Sequence, residues 1–330
     1  MALRVVNRKA LAGNENIDLR TMLGPLSLPA PVLTASGCAG SGKELSAFFD
    51  ISKIGAIVTK SIMLNPRSGR ATPRMSETPS GMLNSIGLQG PGVEAFMNDD
   101  VPWLSQMGAR VIVSIAGNDV EEFARVAARV RRAGDLVSAI EVNISCPNVS
   151  NRGLVFACDP GSAGEVINAV RRSVGSQFPI FAKLSPDVTD LVAVAKSCVD
   201  AGATGLAMIN TLLGMVIDTE TMRPKVAGIT GGLSGPAIRP VGVRAVWQVH
   251  AALPNVPIIG MGGIMNGNDA LEYILAGASA VSVGTAIFHD PGAPLRIQNE
   301  LSNLLATRGF STVKEAIAHG HREPDLKEGS

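Results

Sequence analysis

Eight short apolar runs recur along this chain of 330 residues, and they restrict its fold more than any other feature. They are Pro31–Ser36, Ile54–Ser61, Arg110–Ala116, Ser138–Ser145, Ile180–Ser185, Gly205–Thr211, Pro257–Gly262 and Ala280–Thr285. Each is continuous rather than alternating, the pattern of a strand buried on both faces. Stretches of helical periodicity separate them. In Val120–Ala133, Phe123, Val126, Ala127 and Val130 share one face, while Glu121, Glu122, Arg125, Arg129 and Arg132 turn to water. Asp119 is placed to cap its start and Gly134 its end. Gly161–Ser173, Thr189–Ala201, Pro240–Ala252 and Asn268–Ala276 read the same way. Eight strands alternating with helices predict an α/β chain folded as one (β/α)8 TIM barrel over 1–330, with strands within 31–286 and a helical tail over 290–330. An open doubly wound sheet is the alternative. The count of eight, and the lack of a dinucleotide fingerprint after the first strand, favour the barrel.

Composition narrows the function classes. A net charge of +1, from 29 basic and 28 acidic residues, gives no support for a nucleic-acid surface or a polybasic membrane anchor. The longest uncharged stretch, Tyr273–Phe288, is shorter than the roughly 20 residues of a membrane helix and is broken by Gly277 and Gly284. The first residues lack the apolar segment of a signal peptide. Four cysteines, Cys38, Cys146, Cys158 and Cys198, show no CxxC pair, so neither a zinc nor an iron–sulfur spacing is present and no disulfide framework is expected. A soluble protein of a reducing, cytoplasmic setting is expected. No histidine cluster has metal-ligand spacing, and no metal is assigned.

Polar residues and glycines gather where the strands end: Ser36 after the first, Lys60 and Ser61 at the second, Asn143 at the fourth, Lys183 at the fifth, and Asn210 and Thr211 at the sixth. Gly262 and Gly263 end the seventh, and Gly284 and Thr285 the eighth. Singly, each has an ordinary reading as a turn or a solvated terminus; together they mark a site at one rim. The glycines of the last two strands, with Asn268-Asp269 before a helix, suit a phosphate. Two long segments, Met63–Met97 and Leu212–Arg239, follow strands and are expected as loops over the same mouth. Gly37–Lys43 fits GxxxxGK, but Glu44 stands where a P-loop has Ser or Thr for magnesium, so it reads as a decoy. Lys60 and Lys183 read either as Schiff-base lysines or as cations set against an anionic ligand.

The hexapeptide Asn143-Ile144-Ser145-Cys146-Pro147-Asn148 carries the most chemistry. A strand delivers a thiol to a loop between two carboxamides, where a flat hydrogen-bonding ligand can be held and deprotonated. A lone cysteine is more often a packing residue, and Cys198, inside a helical pattern, reads that way. The polar setting of Cys146 favours function.

These residues resemble the class 1 dihydroorotate dehydrogenases. The motifs are Ala35–Cys38 (ASGC), Thr59–Ser61 (TKS), Leu83–Glu94 (LNSIGLQGPGVE), Asn143–Asn148 (NISCPN), Ala182–Pro186 (AKLSP), Ile209–Met215 (INTLLGM), Gly231–Ile238 (GGLSGPAI), Gly260–Ile264 (GMGGI) and Val283–Ala286 (VGTA). The resemblance implies an FMN-dependent oxidation of dihydroorotate to orotate in pyrimidine synthesis, with Cys146 as catalytic base. It implies that Lys60, Asn84, Ser85, Ile86, Gly87, Leu88, Asn143, Asn148, Asn210 and Thr211 surround the substrate. Ser36, Lys60, Ser61, Asn143, Lys183 and Ile209 would line the flavin ring and ribityl region, and Gly235, Gly262, Gly263, Gly284 and Thr285 would hold FMN, the last four near its phosphate. The forms of Leu83–Glu94 and Ile209–Met215 look like the 1B subclass. Its catalytic subunits pair with an electron-transfer subunit carrying FAD and an iron–sulfur cluster that passes electrons to NAD. A homodimer or heterotetramer follows from that. Ser114 stands where the family often has Asn, and the 149–158 stretch is less glycine-rich than expected, which leaves a flavoprotein for another dihydropyrimidine as the alternative.

Overall fold

Each of the eight apolar runs forms a strand in the computed structural model, which describes residues 17–145 and 159–322. The strands are Val32–Thr34 (β1), Ile57–Val58 (β2), Val111–Ile115 (β3), Ala139–Asn143 (β4), Ile180–Lys183 (β5), Gly205–Met208 (β6), Ile258–Met261 (β7) and Ala280–Val283 (β8). All are shorter than the runs that predict them. Their flanking polar residues leave the ladder and turn into the loops that build the mouth. Every pairing is parallel, and the order runs β1-β8-β7-β6-β5-β4-β3-β2. The ends of that row meet through a parallel bridge between Leu33 and Ala56. There Gly55 N–H donates to Val32 O at 2.7 Å and Thr34 N–H to Ala56 O at 3.3 Å. Strands in chain order around a ring make a (β/α)8 barrel and exclude the doubly wound alternative.

The connecting helices are Val101–Gln106 (α1), Val120–Arg131 (α2), Pro160–Val174 (α3), Leu191–Asp200 (α4), Arg239–Ala252 (α5), Gly267–Leu275 (α6) and Ala293–Thr307 (α7). On α2, Phe123, Val126, Ala127 and Val130 are the buried face, and Asp119 accepts from Glu122 N–H at 2.8 Å. The helix ends two residues early, and Gly134 (φ +62°) opens a 3-10 turn instead of serving as its cap. Asn266, not Asn268, caps α6 by accepting from Asp269 N–H at 3.1 Å. Asp269 is buried, paired with Arg239 and accepting from Met265 N–H. The crossover from β1 to β2 contains two 3-10 turns, Leu45–Ala47 and Ile51–Lys53, and Lys43 is paired with Asp100 at 2.8 Å, so the GxxxxGK match builds no phosphate loop. Cys198 is fully buried in α4, where burial pushes its thiol up to about 12; it is a packing residue.

Two apolar layers divide the interior. Outside the ring, helices pack on strands. Inside it, Leu33, Val58, Ile112, Ala139, Phe181, Ala207, Ile259 and Ala280 form a separate cluster. A hairpin of Thr21–Leu23 and Leu26–Leu28 adds Leu23 and Leu28 to this inner cluster, both fully buried. Thr21 Oγ1 donates to Ser279 O at 2.7 Å, just before β8, so the hairpin stops the N-terminal end of the barrel. The long segments after β2 and β6 are not irregular loops. They combine into a four-stranded antiparallel sheet, ordered Leu212–Gly214, Gly231–Ser234, Gly81–Asn84, Met75–Thr78. No described helix is long and apolar enough to cross a membrane.

The plug makes a stability prediction. Leu28→Ala should cost about 2–5 kcal/mol by opening a cavity in the inner cluster. Met22→Ala, on the exposed side of the same hairpin, should cost under about 0.5 kcal/mol. Urea unfolding of both variants checks this, and equal losses would show that the hairpin is not a plug.

Candidate active site

Strand period places every second side chain on the barrel's inner face, and toward the C-terminal end those side chains become polar. Ser61 is the hub. Its Oγ lies 2.9 Å from Ser114 Oγ and 3.3 Å from Ser36 Oγ, and it accepts from Asn143 Nδ2 at 3.0 Å. Asn143 Oδ1 accepts from Ser145 Oγ at 2.9 Å and from Asn210 Nδ2 at 3.3 Å; the same Asn210 amide also donates to Ser145 Oγ. Asn210 Oδ1 in turn accepts from Thr211 N–H at 2.8 Å. Residues from the ends of β1, β2, β3, β4 and β6 thus share one hydrogen-bonded network. Ser61, Ser114, Asn143 and Ser145 are buried. Such groups are stable away from water only when paired, and pairing fixes their orientation. Ser114, the departure noted in the sequence, directs its hydroxyl to Ser61.

Charge lies beside this network. Lys183 ends β5, in register with Asn143, and is 4% exposed. Its Nζ is 3.7 Å from Glu141 Oε1. Lys60 is half-buried, its N–H bonded to Gly40 O at 2.8 Å. Burial raises the Cys38 thiol to about 11, against the lowering pull of Lys183 and then Lys60. Cys38 therefore stays protonated at neutral pH and is a poor base or nucleophile.

The antiparallel sheet closes over one side of the mouth. Asn84 Nδ2 donates to Gly232 O at 3.2 Å, and a Cβ on Gly232 would lie 2.1 Å from Thr211 Oγ1. Only glycine lets this strand run between Asn84 and Thr211. Ser85 Oγ accepts from Arg70 Nη1 at 3.0 Å, and Ile86 O from Arg70 N–H at 3.0 Å. Ile86, Gly87 and Leu88 follow, half-buried, with Leu88 at φ +56°. A leucine held in the left-handed region costs energy, and such outliers concentrate at ligand sites. Ile209 is buried in the apolar layer and links β6 to β7 through its N–H to Met261 O at 3.1 Å.

The glycine turns converge as well. A Cβ on Gly263 (φ +71°) would sit 2.7 Å from Gly235 O, and Thr285 Oγ1 donates to Ser234 Oγ at 2.8 Å. Turns from three loops therefore converge into one cradle beside the start of α5. Tyr273, the sole tyrosine, is fully buried and donates to Gly262 O at 2.7 Å, fixing that turn from behind. Burial raises its hydroxyl pKa, so it remains a donor.

Of the residues expected from sequence, Ser36, Ser61, Asn143, Asn210 and Thr211 form one network. Asn84 lies across Gly232 from Thr211, Lys60 and Lys183 both act on Cys38, and Gly235, Gly263 and Thr285 meet at the cradle. Cys146 and Asn148 lie outside the described residues. Sequence reasoning overlooked Glu141, Ser145 and Tyr273. Glu141 carried a readable signal: a lone charge in an apolar strand, two residues before Asn143 and therefore on the same face.

The Ser61 hub can be tested. Ser61→Ala leaves the Asn143 amide and the Ser114 hydroxyl without this partner and should cost about 1–3 kcal/mol. Ser36→Ala, at the half-buried edge, should cost less. Denaturant unfolding of the two variants distinguishes them, and an unaffected Ser61→Ala would remove the hub.

The dihydroorotate dehydrogenase family profile matches residues 18–305. A Geotalea daltonii protein named dihydroorotate dehydrogenase B (NAD(+)), catalytic subunit, is 52% identical over 300 residues, covering 91% of this chain and 97% of that one. Proteins of the same name from Citrifermentans bemidjiense and Desulforudis audaxviator are 49% identical over 300 residues and 48% identical over 297. These cover 91% and 90% of this chain, and 97% and 95% of theirs.

Proposed function

Because the chain belongs to the dihydroorotate dehydrogenase family, we propose that it is an FMN-dependent oxidoreductase converting (S)-dihydroorotate to orotate in pyrimidine synthesis. The observation that carries this reading is the network of Ser61, Asn143, Ser145 and Asn210 at the barrel mouth. Fixed amides and hydroxyls there match the donors and acceptors of a pyrimidine edge.

The residues present fit FMN. Gly235, Gly262, Gly263, Gly284 and Thr285 would bring backbone N–H groups close to a phosphate, and the approach of Gly263 to Gly235 O leaves no room for a Cβ there. Ser282 Oγ, within β8 two residues before Gly284, is buried without a hydrogen-bond partner among the described residues. Ser36, Ser61, Asn143 and Ile209 would line the ring and ribityl chain. When bound, FMN supplies the two-electron acceptor for the hydride leaving substrate C6. The protein's part is orientation and charge. Lys183 sets a buried positive charge where reduction builds negative charge. Lys60 pairs with the substrate carboxylate. Asn84, Ser85, Ile86, Gly87, Leu88, Asn143, Asn148, Asn210 and Thr211 hold the substrate ring. Cys146, next in the chain after Ser145, takes the C5 proton as its thiolate, a role that needs a pKa near the working pH.

The relatives' name, a catalytic subunit linked to NAD(+), supports a partner subunit; by the resemblance to the 1B subclass, that partner would carry electrons onward through FAD and an iron–sulfur cluster. The assembly would be a cytoplasmic homodimer or heterotetramer built on this one barrel domain.

Purified protein should be yellow, and anaerobic dihydroorotate should bleach its flavin absorbance. A protein that cannot take up FMN, or one bleached only by another dihydropyrimidine, contradicts the proposal. Cys146→Ala should keep its flavin but lose about 10²-fold or more in the rate of flavin reduction, the usual contribution of a general base. Stopped-flow traces at unchanged rate would remove Cys146 from that role.

A further inference from the structure

We propose that Glu141 is a positioning residue that offsets the charge of Lys183 and thereby sets the redox bias of the bound flavin; this rests on the reading of the mouth as an FMN site. Glu141 is 1% exposed and is the one charged residue of β4, which otherwise holds apolar side chains and the terminal Asn143. Strand period puts it on the same face as Asn143, one step deeper in the barrel. Its Oε1 receives no hydrogen bond among the described residues, and Lys183 Nζ lies 3.7 Å away. Both side chains are at most 5% exposed.

Packing does not explain the residue. A buried carboxylate carries a desolvation cost that a well-packed apolar side chain of similar volume avoids, often with a gain in stability. The separation is also long for a hydrogen-bonded clamp, so the pair interacts mainly through charge. What the carboxylate changes is the field above it. Lys183 presents one positive charge to the mouth, and Glu141 places one negative charge behind it. Reduction adds negative charge to the flavin, so Lys183 alone would favour the reduced state. Glu141 weakens that preference and so makes the reduced flavin readier to give up its electrons to the next acceptor. The ion pair thus serves both halves of the catalytic cycle.

The test is the midpoint potential of FMN-loaded protein, measured anaerobically against a dye of known potential, with FMN affinity measured on the same samples. Glu141→Gln keeps the side chain's shape and removes its charge. Its potential should move positive by a tenfold or larger change in the reduced-to-oxidised ratio, about 30 mV for a two-electron couple. Lys183→Gln should move it negative. In a Lys183→Gln background the Glu141→Gln shift should shrink, because a buried carboxyl left without its cation takes up a proton and leaves no charge to remove. A Glu141→Gln potential equal to or below that of the unaltered protein overturns the proposal, as does an equal shift in both backgrounds. Should Glu141→Gln not fold, Glu141→Asp carries the test. It draws the carboxylate away from Lys183 and should give a smaller positive shift, with no shift or a negative one overturning the proposal. Unaltered protein that fails to hold FMN would instead defeat the functional reading.

Discussion

Closing a parallel sheet on itself drives every second side chain of each strand toward one axis, and the rest of this molecule follows from how that space is filled. At the N-terminal end it is filled by apolar side chains and the hairpin carrying Leu23 and Leu28. Apolar side chains cannot fill the other end as well, because the strands finish in Ser61, Asn143, Lys183 and Asn210. Those groups must be paired or open to a ligand, and the network centred on Ser61 shows how many are paired. The packed base gives the mouth a rigid floor, and a rigid floor is what holds several hydrogen-bonding groups at fixed positions.

Glycine does complementary work above that floor. Gly232 lets one strand of the sheet thread between Asn84 and Thr211, and Gly263 lets the turn after β7 lie against Gly235. Both contacts are backbone approaches that a single methyl group would block. The site therefore depends as much on where side chains are missing as on where they are placed, and Tyr273 stabilises one of those bare turns from behind.

Much of this could be read from the sequence. The eight runs were legible because strands buried on both faces leave continuous apolar stretches, and the rim residues because polar groups ended so many of them. The sheet made by Gly81–Asn84 and Gly231–Ser234 was not legible. Its strands are short and carry glycines, and although Gly81–Asn84 makes a hairpin with Met75–Thr78, the pairing with Gly231–Ser234 that joins the two segments is between stretches far apart in sequence. α6 starts earlier than the Asn268-Asp269 pair suggests, since Asn266 and Asn268 are equally good caps by type and only the fold brings Asn266 Oδ1 to Asp269 N–H. Glu141 is masked by the mean apolar character of its strand, whereas alternation assigns each residue a face. The family resemblance implies what spacing alone could not, a flavin that would join the glycine cradle to the polar rim.

That joining is the central claim, and a crystal structure of the protein grown with FMN and orotate tests it most directly. The account predicts the flavin ring beside Lys183 and Asn143, its phosphate in the turns of Gly235, Gly263 and Gly284, and orotate against Asn84 and Asn210. Flavin bound away from the barrel mouth, or a phosphate held outside those glycine turns, would contradict it.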